Sequence, residues 1–337
     1  MAVGLRHVIF AATVFVILTV SCSEKDNYVS SPRTNFEALW KILDEHYCFF
    51  DYKQVDWNDI RQKYSVLISD TMNQQALFNT LGNMLAELKD GHTNLISSFD
   101  VARYWSWYED YPANFNSELH KAYLGTNYMI AGGMDYLRLS NEQIGYIYYA
   151  SFSSGVGENN LDYIFDYFKD CKGLIIDVRE NGGGSLTNSD RIAARFLQEK
   201  IVTGYIKHKT GPGHNDFSEL FPIELSPSSR SRWLRPVVVL TNRHSFSATN
   251  DFVSKMKMLP QVIIMGDRTG GGSGLPFNSE LPNGWLVRFS ASPMLDADKQ
   301  DIEHGIDPDV KINLTPGDIA RGRDALIEAA IQLIYNQ

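Results

Sequence analysis

Ser247 lies at a point where the sequence predicts that a buried strand turns into a helix. The apolar run 236–240 is typical of a buried strand, and apolar residues at helical spacing follow Ser247. At a helix N-terminus the first backbone N–H groups have no partner within the helix, so they are free to stabilise an oxyanion beside the serine. The alternative is that Ser245 or Ser247 only caps the helix, because serine is a preferred N-cap residue.

Three other segments hold residues that acyl-transfer chemistry uses. The glycines at 182–184 follow a predicted buried strand, and glycine lets backbone N–H groups approach a ligand closely. His92 follows a predicted helix end, and Glu303 precedes a turn that contains glycine. Taken alone, each also has a structural explanation: a tight turn, a histidine without a catalytic role, and an exposed carboxylate. The glycine spacing does not match the patterns of phosphate-binding loops.

The elements that must position these residues alternate between strand and helix after residue 144. Strands are predicted at 145–149, 173–178, 236–240, 261–265 and 285–291. Helices are predicted at 35–48, after a cap at Asp56, and at 73–88, 161–168, 191–197 and 318–335. This alternation predicts an α/β core with parallel strand pairing.

Six segments, in their order along the chain, resemble the tail-specific (C-terminal processing) and tricorn-type serine peptidases. They are DGHT at 90–93, GYIYYASF at 145–152, GLIIDVRENGGGS at 173–185, SFSATNDF at 245–252, GDRTGGG at 266–272 and EHGIDPD at 303–309. The resemblance covers roughly residues 34–337. It implies an α/β spiral core of the Clp-protease and crotonase type, preceded by a small helical N-terminal domain.

The resemblance implies roles for the residues around Ser247. Ser247 matches the nucleophile of the family. The backbone N–H groups of Ala248 and of Gly182 or Gly183 match its oxyanion hole.

The resemblance also implies which residue is the general base. Processing peptidases use a lysine at a position that here holds Gly272, whereas tricorn-type members use a histidine that His92 matches. Glu303 matches the acidic residue near the C-terminus of tricorn-type members. Gly91 replaces a serine of the tricorn network, so the orientation of His92 has to come from elsewhere. His244 is nearer to the serine along the chain, but its side chain is expected to face away from the nucleophile.

Residues 1–22 are typical of a signal peptide. The apolar stretch 8–20 follows a basic residue and is too short to span a bilayer comfortably. The segment 18–22 resembles a bacterial lipoprotein cleavage site, in which Cys22 would be lipidated and would form the only membrane contact. An ordinary signal peptide cut near Ser21 is the alternative. In either case the expected location is outside the cytoplasm, and the lipoprotein would be anchored in the outer membrane, on its periplasmic or its surface face.

Five segments describe the expected domain organisation. They are a signal peptide at 1–22, a tether at 23–33, a helical domain that carries His92 at 34–96, an irregular β-rich connection at 97–144, and an α/β peptidase core at 145–337. The connection is too short for a PDZ domain. Capture of a substrate C-terminus by such a domain is therefore not expected.

Composition bears on partners and cofactors. The chain has 31 Lys and Arg against 40 Asp and Glu and no basic run, which argues against nucleic acid as a partner. The spacing of Cys and His fits no zinc site, and no metal or cofactor is predicted. Cys48 and Cys171 are expected either to form a disulfide or to remain buried thiols. Nothing in the sequence indicates the oligomeric state.

The expected function is that of a serine endopeptidase that cleaves exported peptides or unfolded proteins through an acyl-enzyme on Ser247, with His92 as general base. A non-catalytic module that binds a ligand or peptide on the same fold is the alternative. An α/β-hydrolase esterase is not expected, because no serine has the GxSxG context.

Overall fold

The computed structural model describes residues 30–336; the predicted signal peptide, Cys22 and most of the predicted tether lie outside them. The helices are α1 (Pro32–His46), α2 (Phe50–Lys53), α3 (Trp57–Ser65), α4 (Gln74–Ala86), α5 (Ser117–Leu124), α6 (Glu158–Tyr167), α7 (Leu186–Ala193), α8 (Ala248–Lys257), α9 (Pro316–Ala320) and α10 (Ala325–Tyr335), with a 3₁₀ turn at Ser106–Tyr108. The strands are β1 (Asn94–Ile96), β2 (Val101–Arg103), β3 (Met129–Ala131), β4 (Met134–Leu139), β5 (Ile144–Tyr149), β6 (Gly173–Asp177), β7 (Ile201–Ile206), β8 (Phe221–Leu225), β9 (Val237–Thr241), β10 (Val262–Gly266), β11 (Gly274–Glu280), β12 (Leu286–Leu295) and β13 (Val310–Lys311).

Within residues 30–336 the strands form two sheets. One has seven strands in the order β13-β10-β9-β6-β5-β4-β3, and its five strands from β13 to β5 are parallel. The other has the order β2-β1-β12-β7-β8, is antiparallel, and also pairs β11 with β12. The predicted parallel α/β core is therefore present, and it is accompanied by an antiparallel sheet that the sequence did not predict.

The parallel sheet is covered on both faces, which explains why its strands are continuous apolar runs. Ile176 and Val239 point into a core shared with α6, α7 and α8. Their neighbours Ile175 and Val238 point to the opposite face and pack against α10. Every residue of β6 and β9 is buried.

The N-terminal helices pack against the antiparallel sheet. Phe36 and Leu39 of α1 and Leu81 of α4 share a core with Val287 and Phe289 of β12. Asp56 caps α3, as predicted, and accepts hydrogen bonds from two backbone N–H groups of the first turn. This core fixes the end of α4, from which the chain runs directly into the segment that holds His92.

The C-terminal helix predicted at 318–335 is wrong as a single element, since α9 and α10 are separate. Gly322 has a φ of +68° between them, in the left-handed region that other residues rarely adopt. Asp324 then caps α10 by accepting hydrogen bonds from the N–H groups of Leu326 and Ile327.

Two further local predictions differ from the structure. The helix predicted at 191–197 begins earlier, at Leu186, and ends at Ala193. The segment 97–144, predicted as irregular and β-rich, contains α5 as well as β2, β3 and β4. Asn116 caps α5 through its side chain, a signal that the aromatic-rich sequence around it obscured.

The two cysteines of the described chain are free and buried. Cys48 lies in the core beneath the N-terminal helices, and Cys171 lies in the core of the parallel sheet, so the alternative of two free thiols holds. Within residues 30–336, no helix combines the length and the apolar character needed to cross a bilayer.

Arg179, just after β6, ties three parts of the core together. Its guanidinium lies 2.6 Å from a carboxylate oxygen of Asp177 and 3.0 Å from one of Asp324, and it donates a hydrogen bond to the Asn114 carbonyl. The side chains of all three charged residues are fully buried. Two carboxylates thus depend on one arginine for their compensating charge.

We expect Arg179→Met to lower the free energy of unfolding by about 3–5 kcal/mol, because it leaves two buried carboxylates without their cation. Arg268→Met is the matched control: Arg268 pairs with Asp307 at 2.7 Å, but both side chains are exposed. Its cost should stay within about 1 kcal/mol. Urea denaturation of the two variants measures both values, and equal losses would contradict the assignment.

Candidate active site

Three loops meet at the carboxyl edge of the parallel sheet, where ligand sites of such sheets are found. They follow β6, β9 and β10, and backbone hydrogen bonds join them. Phe246 N–H donates to the Asn181 carbonyl at 3.0 Å, and Ser247 N–H donates to the Gly271 carbonyl at 2.8 Å. The position of Ser247 is therefore set by both neighbouring loops as well as by its own strand.

Ser247 has a strained backbone and does not cap α8 with its side chain. Its φ of +60° and ψ of −121° lie outside the regions that non-glycine residues favour. It occupies the N-cap position, yet its hydroxyl makes no capping hydrogen bond. Ser245 does not cap the helix either, since its hydroxyl donates to the Val178 carbonyl at 2.8 Å. Such strain persists only where the surroundings enforce it, and it is concentrated at functional sites.

His92 lies beside Ser247 although 155 positions separate them in the chain, with its Nε2 3.0 Å from Ser247 Oγ. Asp90 Oδ1 accepts a hydrogen bond from His92 N–H at 2.7 Å, and the imidazole packs on the Phe246 ring at a centroid distance of 4.8 Å. A Cβ at Gly91 would come within 2.9 Å of that ring. Asp90 and Phe246 therefore orient His92, and the serine of the tricorn pattern would not fit at Gly91.

The surroundings of His92 favour the neutral imidazole. Burial lowers its pKa to about 4; the Asp90 carboxylate and the Gly274 backbone oppose this effect, while Arg288 and Lys53 add to it. In the tautomer protonated at Nδ1, Nε2 accepts the hydrogen bond from Ser247. Nδ1 lies near the Gly274 backbone but makes no well-formed hydrogen bond among the described residues. A neutral imidazole next to a hydroxyl is able to take up its proton.

Gly272 explains why a lysine would not fit at this site. Its φ is +79°, and a Cβ there would lie 2.5 Å from the Phe246 ring and 3.1 Å from His92 Cε1. The space that a side chain from position 272 would need is filled by these two rings.

Glu303 lies one layer behind His92, and no hydrogen bond joins the two side chains within residues 30–336. Its Oε2 accepts a hydrogen bond from Ser273 N–H at 2.8 Å, and its Oε1 lies 3.0 Å from Lys53 Nζ. Lys53 Nζ is also 3.5 Å from Asp90 Oδ2. Glu303 is thus connected to His92 only indirectly, through the loop at 272–274 and through Lys53.

Lys53 contacts both buried carboxylates behind His92, those of Glu303 and Asp90, and the pKa values of these two groups shift in opposite directions. Burial raises the pKa of Glu303 to about 7, Lys53 opposes this effect, and Asp90 adds to it. Burial also acts to raise the pKa of Asp90, but Lys53, His92 and a hydrogen bond from Tyr47 together lower it below its usual value. Asp90 is therefore the ionised partner of Lys53 at neutral pH.

The candidate oxyanion hole lies between α8 and the glycine loop. Ala248 N–H is the first amide of α8, and no residue in the described chain accepts a hydrogen bond from it. Gly183 packs closely on Ser247, since a Cβ there would lie 2.7 Å from the Ser247 Cβ. Its N–H, however, already donates to Asn181 Oδ1 at 3.0 Å. Gly182 N–H makes no such bond in residues 30–336, but Gly182 lines the neighbouring cavity that holds Gly91 and His244, whereas Ala248 lines the cleft beside Ser247. Ala248 therefore has the available donor at the cleft.

His244 packs against the rings of Trp107 and Tyr108, and its Nδ1 lies 3.9 Å from a carboxylate oxygen of Glu180. The hydrogen bond of Ser247 goes to His92 instead. Sequence reasoning missed Lys53, which lies on a four-residue helix with no motif around it. Asp90 begins the DGHT segment at 90–93, and its place two residues before His92 is the sequence feature that points to it.

A cleft of about 180 Å³ opens beside the Ser247–His92 pair. Its walls include Leu275, Pro276, Arg288 and Met294. Among residues 30–336, no group of three or more His, Cys, Asp or Glu side chains is arranged to hold a metal ion. The chemistry available on these residues is nucleophilic attack by a hydroxyl with a neutral imidazole as base.

Two family descriptions match the chain. Residues 143–312 match peptidase family S41, and residues 28–86 match the tricorn protease C1 domain. The tricorn protease of Thermoplasma acidophilum is 28% identical over 201 residues, which are 59% of this chain and 17% of that protein. The carboxy-terminal processing protease CtpA of Bacillus subtilis is 26% identical over 182 residues, which are 53% and 37% of the two chains. The chain therefore spans less than half the length of these relatives.

Solved structures share the fold. A candidate peptidase from Parabacteroides merdae is 68% identical, with a TM-score of 0.88 over 90% of this chain and 97% of that chain. Mature CPAF in complex with lactacystin is 12% identical, with a TM-score of 0.68 over 91% and 99% of the two chains. Tricorn protease is 19% identical, with a TM-score of 0.58 over 90% and 37%. The predicted α/β fold of the Clp-protease type is confirmed.

We expect the His92 imidazole to titrate near pH 4 in the folded protein, because burial disfavours its charged form. In the unfolded chain it should titrate near its ordinary value of 6.5. The unfolded state thus binds the proton more readily, so this group lowers stability progressively as pH falls from 6.5 towards 4. Heteronuclear NMR of the imidazole, assigned by the loss of its signals in His92→Gln, measures the value. Titration near 6.5 in the folded protein would contradict the burial of this ring.

Proposed function

Because the chain belongs to peptidase family S41, we propose that it is a serine peptidase with Ser247 as nucleophile and His92 as general base. The observation that carries this proposal is the 3.0 Å contact between His92 Nε2 and Ser247 Oγ, made by a serine held in a strained backbone conformation. Local sequence does not require that contact, because 155 positions separate the two residues and the Ser247 hydroxyl makes no capping hydrogen bond.

In the acylation step, Ser247 Oγ attacks the carbonyl carbon of the scissile peptide bond while His92 Nε2 takes the hydroxyl proton. The carbonyl oxygen becomes an oxyanion, to which Ala248 N–H would donate together with an N–H group of the glycine loop at 182–184. The C–N bond then breaks, and the protonated His92 gives its proton to the leaving amine. Its low pKa makes the imidazolium a strong acid for that transfer.

In the deacylation step, His92 removes a proton from water, and the resulting hydroxide attacks the ester carbonyl on Ser247. The second oxyanion collapses, the ester bond breaks, and Ser247 recovers its proton from His92. Asp90 has a positioning role, since it holds the His92 backbone, and its negative charge favours the imidazolium that forms in each step.

Histidine rather than lysine is the proposed base because of the space around position 272. The rings of His92 and Phe246 fill the region that a lysine side chain would cross. Glu303 keeps a positioning role in this proposal, since it holds the Ser273 amide and shares Lys53 with Asp90.

The proposed substrates are peptides or unfolded polypeptides outside the cytoplasm.

Lipidation of Cys22 remains part of the proposal; it rests on the sequence pattern at 18–22, which lies outside the described residues. Mass spectrometry of the N-terminal peptide from the membrane fraction should find an acylated Cys22, and Cys22→Ala should release the protein. An unmodified N-terminus after residue 21 would favour the ordinary signal peptide.

Hydrolysis of an unfolded protein such as casein should be lost, by about 10³-fold or more, in both Ser247→Ala and His92→Gln, because each residue carries a step that the other cannot perform. His244→Gln is the matched control, since it replaces the histidine nearest to Ser247 in sequence. It should keep most of the activity. A serine-directed phosphonate should label Ser247 in the parent protein.

Each outcome separates the alternatives. Activity that survives His92→Gln but not Ser247→Ala would show that the base is wrongly assigned. Absence of both cleavage and labelling in the folded parent would instead favour a non-catalytic module that binds peptides or another ligand. Circular dichroism of each variant keeps loss of activity distinct from loss of folding.

A further inference from the structure

Arg288 projects from β12 towards the catalytic cleft. Along this strand Val287, Phe289 and Ala291 belong to the core beneath the N-terminal helices. Because side chains alternate along a strand, Arg288 and Ser290 point to the opposite face. On that face Ser290 contacts Asp90, since its hydroxyl donates a hydrogen bond to Asp90 Oδ2 at 3.0 Å.

The guanidinium of Arg288 shares a cleft with the reacting groups. Arg288, Ser247 and His92 line the same cavity, and the charge of Arg288 reaches the imidazole strongly enough to lower its pKa. The remaining walls near Arg288 are apolar or uncharged, among them Leu275 and Pro276. An arginine in this place faces whatever part of a substrate lies next to the scissile bond.

Arg288 has no anionic partner of its own. It is half-buried, no carboxylate of residues 30–336 lies within 4.0 Å of it, and its guanidinium makes no hydrogen bond to the described chain. One acidic residue, Asp251, also lines the cleft, but its Oδ2 is 2.6 Å from both Lys255 Nζ and Ser189 Oγ. The charge of Asp251 is therefore already balanced, and that of Arg288 is not.

We propose that Arg288 is a specificity-determining residue that binds a carboxylate of the substrate next to the scissile bond, so that this peptidase selects anionic peptides. The inference rests on the proposed function and adds a substrate class to it. The arginine fork matches a carboxylate through two parallel hydrogen bonds, and partial burial strengthens such a pair. An acidic side chain and a free C-terminus both present that carboxylate, and the two sources are separable by experiment.

Arg103 provides a matched control for charge at this face. Asn94 of β1 pairs with Arg288 on one side and with Arg103 of β2 on the other, so the three side chains form one row across the sheet. Arg103 is exposed, stacks on Trp105 at 4.4 Å, and lines a neighbouring cavity together with Glu180. A carboxylate near Arg103 would therefore meet the charge of Glu180, whereas the acidic residue in the cleft of Arg288, Asp251, is already paired with Lys255.

The test begins by identifying cleavage sites of the parent protein in casein by mass spectrometry. Peptides spanning a preferred site are then made with Glu or Gln at each acidic position, and with a free or an amidated C-terminus. At pH 8, where His92 is neutral with or without Arg288, kcat/KM for the preferred carboxylate form should exceed that of its neutral counterpart by about tenfold or more. The Glu/Gln pairs and the free/amidated pairs show which source supplies the carboxylate.

Arg288→Gln should bring that ratio close to one. Removing the Arg288 charge also changes the pKa of His92, but this acts on both peptides alike, so the ratio of the two kcat/KM values, and not either value alone, reports carboxylate binding. Arg288→Lys should keep part of the ratio, since it retains the charge but loses the fork. Arg103→Gln should leave the ratio unchanged. A parent that does not distinguish the forms, or an Arg288→Gln protein that retains the full preference, would overturn the inference.

A binding measurement keeps this inference separate from the proposed function. The Ser247→Ala protein cannot form the acyl-enzyme, so calorimetry reports its affinity for each peptide without cleavage. Preferential binding of the carboxylate form, lost on adding Arg288→Gln, supports the role of Arg288 even if the parent proves not to be a peptidase. Equal binding of both forms, with cleavage intact in the parent, rejects the role of Arg288 alone.

Discussion

The shared salt bridge at Lys53 joins the three parts of the chain on which the geometry of His92 depends. Lys53 ends a short N-terminal helix, Asp90 precedes His92, and Glu303 belongs to a C-terminal loop. Asp90 holds the His92 backbone, and Glu303 holds the Ser273 amide of the loop that packs on the His92 ring. All three side chains are buried, so the ionised Lys53–Asp90 pair interacts with little screening by solvent, while Glu303, whose pKa is raised to about 7, keeps its 3.0 Å contact with Lys53. The position of the imidazole against Ser247 follows from this buried arrangement.

Around the side chains of Lys53, Asp90 and Glu303, close backbone contacts position the catalytic loops. A Cβ at Gly271 would lie 1.8 Å from the Glu303 carbonyl oxygen, and one at Gly183 would lie 2.6 Å from that of Phe246. Only glycine allows these loops to approach each other so closely at positive φ. The same contacts hold Ser247 in its unfavourable conformation, because its N–H is bonded to the Gly271 carbonyl. Tight packing between the loops thus offsets the cost of the strain.

The parallel core was predictable, and the antiparallel sheet was not, for one physical reason. Strands covered on both faces, such as β6 and β9, are continuous apolar runs and are visible in any sequence. Strands such as β8 and β11 are largely exposed or half-buried, and a proline interrupts each of them. The sheet is completed by pairing β12 with β1 and with β7, which are distant from it in sequence, so local patterns carry little of its topology. Arg288, which lines the cleft, belongs to a row of side chains across this antiparallel sheet.

The sequence by itself determined the strand–turn–helix around Ser247, the glycine loops that must approach it, and through the resemblance the pairing of Ser247 with His92. These are properties of short segments, in which residue type and spacing decide the backbone. Only the tertiary structure decided that Glu303 contacts Lys53 and Ser273 instead of His92, and that burial lowers the His92 pKa to about 4. Burial and side-chain direction depend on what distant segments place around a residue, and the neighbouring sequence does not contain that information.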